Sequence, residues 1–337
     1  MLRFKIIFLL LFTSIVYANT LKLNENSRFF DLLPHSEIYI DKKRDITIKD
    51  ILTNKLDFEK TNQKLIGFGY SPDFDVWIKF TLENITNKTL YKTLEYGNAL
   101  TSNVQFYSPD NIYKPIQEGL FHINKDRKTI NPTFKIKLDP NEKKTYYVKA
   151  SSYITTLIVK LNLWESDNYY QKEIKHQVML ALFFGAMVIL ALYNLFIYFY
   201  TKDRSYLYYV MYIAGIIIHH LIYVGIANIY IIPPEYIDNI INYAAVIVAF
   251  PVLALALFTR SFLHAKQYRK LSKILNAYIL LFPFLVSIFL FTDMFNKYRN
   301  IFTVLMLFLL LILTVYASYK KNRQAYFLLF GWFIFIT

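Results

Sequence analysis

The side chains that could do chemistry are few and scattered. His219 and His220 are neighbours inside a long apolar run, with Asn194 and Asn242 in adjoining runs. Paired imidazoles are the residue type that binds metals or senses protons. On a helix, however, adjacent residues point about 100° apart, and no third ligand is evident, so these four residues read as neutral polar groups packing between helices, with signalling as the sharper alternative. His35 and His122 are isolated and read as surface or structural. Trp77 lies within an alternating stretch; it is a candidate sugar-stacking platform, although a strand tryptophan is more often core. The sequence holds no G-x-S-x-G, no H-E-x-x-H and no carboxylate pair in a recognisable setting. Ser261, Ser287 and the histidines assemble no nucleophile constellation. No catalytic residue, cofactor or metal site is expected in the residues present. With no cysteine there is no thiolate site, disulfide or lipoprotein anchor.

The elements that must position these residues are organised around a hairpin. Residues 177–200 contain no Asp, Glu, Lys or Arg, and after Thr201-Lys202-Asp203-Arg204 a second uncharged run extends from 205 to 230. About 20 residues rising 1.5 Å each cross the roughly 30 Å hydrocarbon layer of a bilayer, so the pattern predicts two transmembrane helices. Further spans are expected at 242–260, 274–292 and 300–318, and Pro251 and Pro283 predict kinks in two of them. A sixth span starts at Ala325 and is cut off at Thr337, which makes the sequence read as a fragment with five full spans and part of a sixth.

Charge sets the orientation. Between 177 and 337 there are 12 basic and 4 acidic residues, against 24 and 20 between 19 and 176, so the +14 net charge is concentrated in the helical half and does not indicate nucleic-acid binding. Loops 201–204, 260–273 and 319–324 hold 10 basic residues, whereas 231–241 and 293–299 hold only Lys297 and Arg299. The rich loops belong in the cytoplasm. Tyr198, Tyr200, Tyr206, Tyr208 and Tyr209 crowd that boundary as an aromatic belt. No charged residue lies deep in the first five spans, which argues against an ion-coupled pump.

Residues 1–18 read as a secretory signal peptide, with Arg3 and Lys5 before an apolar core and small residues at Val16 and Ala18. Residues 19–164 then form an exported, water-soluble domain of period two. Val76, Ile78, Phe80 and Leu82 share one strand face. Leu90 to Tyr96, Val104 with Phe106, Phe134 to Leu138, and Tyr146 with Val148 supply further strands, and Leu157, Val159, Leu161 and Leu163 read as a single last strand. Short strands with polar turns and no helical period predict a β-sandwich, jelly-roll-like, large enough to fold without disulfides. Residues 165–176 connect it to the first span, as either a solvated linker or a continuous helix.

Gly185-Ala186, the stretch from Leu192 to Tyr198, Asp203-Arg204-Ser205-Tyr206-Leu207-Tyr208-Tyr209 and Gly225 resemble the first two spans of the bacterial seven-transmembrane receptors with diverse intracellular signalling modules (7TMR-DISM). Glu37-Ile38-Tyr39-Ile40-Asp41, Gly67 to Phe80, Asn84, Val104-Gln105-Phe106-Tyr107 and Leu138-Asp139-Pro140 resemble that family's type 2 extracellular domain. The resemblance implies a sensory jelly roll akin to carbohydrate-binding modules outside a bacterial inner membrane, then an α-helical bundle of seven spans over 177 onward. It also implies a cytoplasmic output domain, commonly a histidine kinase or diguanylate cyclase. The expected partners are membrane lipid, a periplasmic ligand such as a carbohydrate, the output domain and, by analogy, a second copy in a homodimer. A channel or transporter with an exported accessory domain is the alternative.

Overall fold

The computed structural model describes residues 20–54, 56–153, 155–291 and 299–336, without the side chains of 238, 241, 242, 289, 299, 300 and 334–336. The signal-peptide region and most of the loop 293–299 lie outside the described residues.

Thirteen strands are described: β1 (Thr20–Leu23), β2 (Phe29–Asp31), β3 (Ser36–Asp41), β4 (Glu59–Lys60), β5 (Ile66–Tyr70), β6 (Asp75–Asn84), β7 (Leu90–Tyr96), β8 (Asn103–Tyr107), β9 (Ile116–Glu118), β10 (Thr133–Leu138), β11 (Lys143–Ser151), β12 (Thr156–Val159) and β13 (Leu161–Glu165). They build a large sheet ordered β4-β3-β6-β11-β8-β9, with β1 parallel to the end of β6, and a small sheet ordered β10-β7-β13-β2. A β12–β5 pair stands apart. The alternation seen in the sequence places Val76, Ile78, Phe80 and Leu82 of β6 in one buried cluster with Leu94 and Tyr96 of β7, Phe134 and Ile136 of β10, and Leu161 and Leu163 of β13. The Phe106 ring lies 4.9 Å from Phe134, joining the two sheets. Asn84 closes one end: its amide donates to the carbonyls of Lys88, Leu138 and Asp139 while its oxygen accepts from the Thr86 backbone.

Two features of this domain depart from the sequence expectation. The run from Leu157 to Leu163 is two strands, not one. All four apolar residues point inward, yet the chain bends at Lys160 and passes from the β5 pair to the small sheet. Alternation cannot register such a change of partner. The domain also contains a helix, α1 (Ile48–Thr53), set by a capping box in which Thr47 and Asp50 satisfy each other's backbone N–H. With Tyr39, Phe58, Tyr107 and Trp77, the α1 residues Ile48 and Ile51 form a second apolar cluster on the outer side of the large sheet.

The helical half comprises α2 (Ser166–Thr201), α3 (Arg204–Tyr223), α4 (Ile226–Tyr230), α5 (Ile237–Asn242), α6 (Ala244–Phe262), α7 (Arg269–Phe291), α8 (Arg299–Tyr319) and α9 (Arg323–Ile336). Five of the described helices are long and apolar enough to cross a membrane. α2 ends at Lys202 in a left-handed cap, and Asp203 caps α3 by accepting from Ser205 N. The second apolar run is not one span to 230. It stops at Tyr223, and Gly225, with φ +87°, turns the chain into α4. α3 packs closely on α6, where a Cβ on Gly215 would lie 2.9 Å from the Pro251 Cβ. α6 remains helical through Pro251 and α7 through Pro283.

Candidate functional site at the domain junction

β13 runs without a loop into α2, so the helix is anchored in the sheet from which it departs. Its opening turns cover the outer face of the small sheet. There, outward-facing Glu95 of β7 is buried, with 2% of its side chain exposed. Four donors converge on its carboxylate: Asn131 Nδ2 at 2.8 Å, Asn162 Nδ2 at 3.1 Å, Trp164 Nε1 at 2.9 Å and Lys172 Nζ at 2.6 Å. Burial pushes the Glu95 carboxyl up, but the Lys172 ammonium and the amides pull harder, so it is held below the usual carboxylate value. The ammonium also lies over the rings of Trp164 and Tyr169, at 5.7 and 5.2 Å.

From the very next residue the helix grips the loop between β9 and β10. Glu173 Oε1 accepts from Ile130 N at 2.7 Å, and Gln177 Nε2 donates to the Lys128 carbonyl at 2.9 Å. The loop is pre-shaped by Arg127, which donates to Glu118 at 2.9 Å and to the carbonyls of Thr129 and Ile130. Such charge-assisted bonds within a buried setting fix geometry as well as adding energy. Tyr230 of α4 completes the contact, donating to Gln177 Oε1 at 2.9 Å. Beside it, Gly225 lets the α3–α4 corner meet the sandwich: a Cβ there would sit 2.9 Å from the Ala99 Cβ.

Between these contacts lies a cavity of about 630 Å³, walled on one side by sandwich residues including Ala99, Leu100 and Ile130 and on the other by helix residues including Ile222, Ile240 and Ile247. His176, His219 and Asn228 also line it.

Two family descriptions match this chain. The 7TM diverse intracellular signalling domain covers 176–337 and the 7TMR-DISM extracellular 2 domain covers 33–165, together most of the sequence. The chain belongs to the 7TMR-DISM family. It is accordingly a multi-pass membrane protein with an extracellular β-sandwich followed by a receptor-type helical domain. No curated protein matches it. Among solved structures, a β-glucosidase from Kluyveromyces marxianus in complex with glucose is similar over 43% of this chain and 18% of its own, with 11% identity and a TM-score of 0.28. A GH31 α-xylosidase from Xanthomonas citri is similar over 39% of this chain and 15% of its own, with 14% identity and a TM-score of 0.20. This chain therefore spans less than a fifth of the length of either, and likeness at this level bears on neither fold nor function.

Within this 7TMR-DISM chain the residues singled out from sequence fall in separate places. Trp77 is fully buried between Tyr107, 5.3 Å away, and the Lys149 ammonium at 5.2 Å, so it presents no stacking face to solvent. His219 and His220 do not diverge as helix geometry suggested, because their side chains swing together and bring the two Nδ1 atoms to 3.4 Å. Among the described residues no group of three His, Cys, Asp or Glu side chains could hold a metal. Asn194 is buried, but it bonds back to its own helix at Leu190 O (2.8 Å) rather than across to a neighbour. Asn242 ends α5, and its side chain lies outside the described residues. Of the three whose side chains are described, only His219 lines the cavity. Ser261, considered as a nucleophile, instead shares a 2.9 Å hydrogen bond with Ser205 that ties α3 to α6.

Sequence reasoning missed Glu95, Lys172, Glu173 and Asn228. Glu95 occupies an outward position on an alternating strand, which reads as solvated until a helix 77 residues further on is known to lie over it. The i, i+4 spacing of Glu173 and Gln177 was the one local signal.

Proposed function

We propose that this chain is the sensing and membrane part of a signal receptor in the bacterial inner membrane. Its extracellular domain, a sandwich of jelly-roll type, senses a ligand, carbohydrate-like on the resemblance, or a partner protein. The signal then passes through the bundle to a cytoplasmic output module such as a histidine kinase or diguanylate cyclase. One observation carries this reading: α2, clamped to the sandwich through Lys172–Glu95 and Glu173–Ile130, continues unbroken for 36 residues, about 54 Å, to the turn at Lys202. A stimulus that shifts the sandwich acts on a rigid rod whose other end is at the cytoplasmic side.

Such a switch requires that the stimulus favour one arrangement of the bundle over the other, by several kcal/mol for a nearly complete response. The absence of charged residues deep in the first five spans supports a bundle that rearranges rather than conducts ions. The test uses the full-length protein. Deleting 20–164, or substituting Glu95→Gln with Lys172→Ala, should change its basal output, read as autophosphorylation or cyclic dinucleotide synthesis. Output identical to the parent in both variants would overturn the reading.

A further inference from the structure

Among the described residues, those lining the junction cavity include no carboxylate, ammonium or guanidinium group. Much of its wall is aliphatic, Leu100, Leu120 and Ile130 coming from the sandwich and Ile222, Ile240 and Ile247 from the helices, with neutral polar groups such as Asn131 and Thr156 and the imidazoles of His176 and His219 among them. Into this surface Asn228 brings an amide that is 4% exposed and whose Nδ2 finds no hydrogen-bond acceptor among the described residues. A buried donor left unmet costs about 1–3 kcal/mol, which a ligand oxygen in the cavity would recover. The volume, about 630 Å³, falls within the roughly 300–1,000 Å³ of small-molecule sites. The lining draws on α3, α4, α5 and α6, whose ends and connections carry the exposed Tyr223, Tyr230, Tyr236 and Tyr243, the residue type that favours a membrane–water boundary.

We propose that this cavity binds a neutral amphiphile: an uncharged molecule with an aliphatic body and one acceptor-bearing head, such as an alcohol, ketone or amide, taken from the outer leaflet. A charged head would be stripped of water with no carboxylate, ammonium or guanidinium among the described lining residues to meet it, whereas a purely apolar molecule would leave the Asn228 amide unanswered. Because both halves of the protein form the walls, occupancy sets the spacing between sandwich and bundle. That consequence for signalling rests on the receptor reading; the binding does not.

The test is photo-crosslinking of a diazirine-bearing dodecanol to the full-length protein in phosphatidylethanolamine–phosphatidylglycerol nanodiscs, with the labelled peptides mapped by mass spectrometry. Labelling should concentrate on 219–230 and 240–248 together with 98–130. Unlabelled dodecanol should compete roughly tenfold better than dodecanoate or dodecyltrimethylammonium, the equivalent of about 1.4 kcal/mol. Asn228→Leu should remove most of that preference for the alcohol over a dodecane competitor. Ile247→Trp, or Leu100→Trp from the opposite wall should the first not fold, should suppress labelling. Val246→Trp, at an exposed position on the same helix, should not. Label spread evenly over the lipid-facing helices, labelling insensitive to both cavity-filling variants, or equal competition by the charged analogues would each overturn the proposal. Specific labelling without any effect of dodecanol on output would uphold the site and remove it from the sensing pathway.

Discussion

Gly225 and Ala99 touch across the junction, one at the end of a membrane helix and the other beyond the last residue of β7, so closely that a methyl group on the glycine would fall 2.9 Å from the alanine Cβ. The glycine is also left-handed, with φ +87°. Gly225→Ala therefore combines a backbone cost of about 1–2 kcal/mol with displacement of the corner from the sandwich. The melting temperature of the full-length protein should fall, while Gly185→Ala, inside α2 with nothing within 4 Å of the added atom, should not lower it. Equal melting of the two variants would show that the corner does not bear on the sandwich.

The Lys172–Glu95 pair predicts a one-sided mutational response. Lys172 is about one-third exposed, but Glu95 is sealed. Lys172→Ala leaves a buried carboxylate short of its cation and should cost about 3 kcal/mol, the lower end for a broken buried pair because solvent screens the lysine. Glu95→Gln in the same background should recover part of that loss. Thermodynamic coupling between the two substitutions near zero in a double-mutant cycle would contradict the contact.

The same carboxylate makes the junction acid-sensitive. Its pKa in the folded protein lies below the ordinary 4.5. A depressed carboxyl contributes stability that is complete above the unfolded value and disappears as pH falls through the folded one. Melting temperature should hold from neutrality down to about 4.5 and decline below it, and Glu95→Gln should flatten that decline. A steeper acid limb in the Gln variant would reverse the assignment.

If α2 acts as a rigid rod, output should depend on rotational phase. Each residue inserted after Val178 turns the distal segment by about 100° and lengthens it by 1.5 Å, so four residues restore the phase to within about 40°. Alanine insertions of one and two residues should alter basal output strongly, and an insertion of four should bring it back toward the parent. Output that falls steadily with insertion length would indicate tethering without torque.

Much of this architecture is legible in the residues themselves. The alternation of β6, β7, β10 and β11 reports which side chains face inward, because the side-chain period of a strand is fixed. The charge-free runs report the spans, because lipid admits little else. What stays hidden depends on partners distant in sequence. The Leu157–Leu163 run keeps its alternation through Lys160 while changing sheets, and Glu95 is covered by a helix that begins 71 positions later. α1 is too short for a hydrophobic period, leaving the Thr47–Asp50 box as its local trace. The break at Gly225 hides within an uninterrupted apolar stretch, since hydropathy measures solubility in lipid and not backbone direction.

The cluster around Trp77 has a bearing on what the outer domain can hold. α1 and its aromatic neighbours sit on the outer side of the large sheet, and the opening turns of α2 rest on that of the small one. Trp77 is thereby flooring for a short helix, its ring taken up by Tyr107 and Lys149, so that replacing it would loosen α1 from the sheet rather than bare a surface.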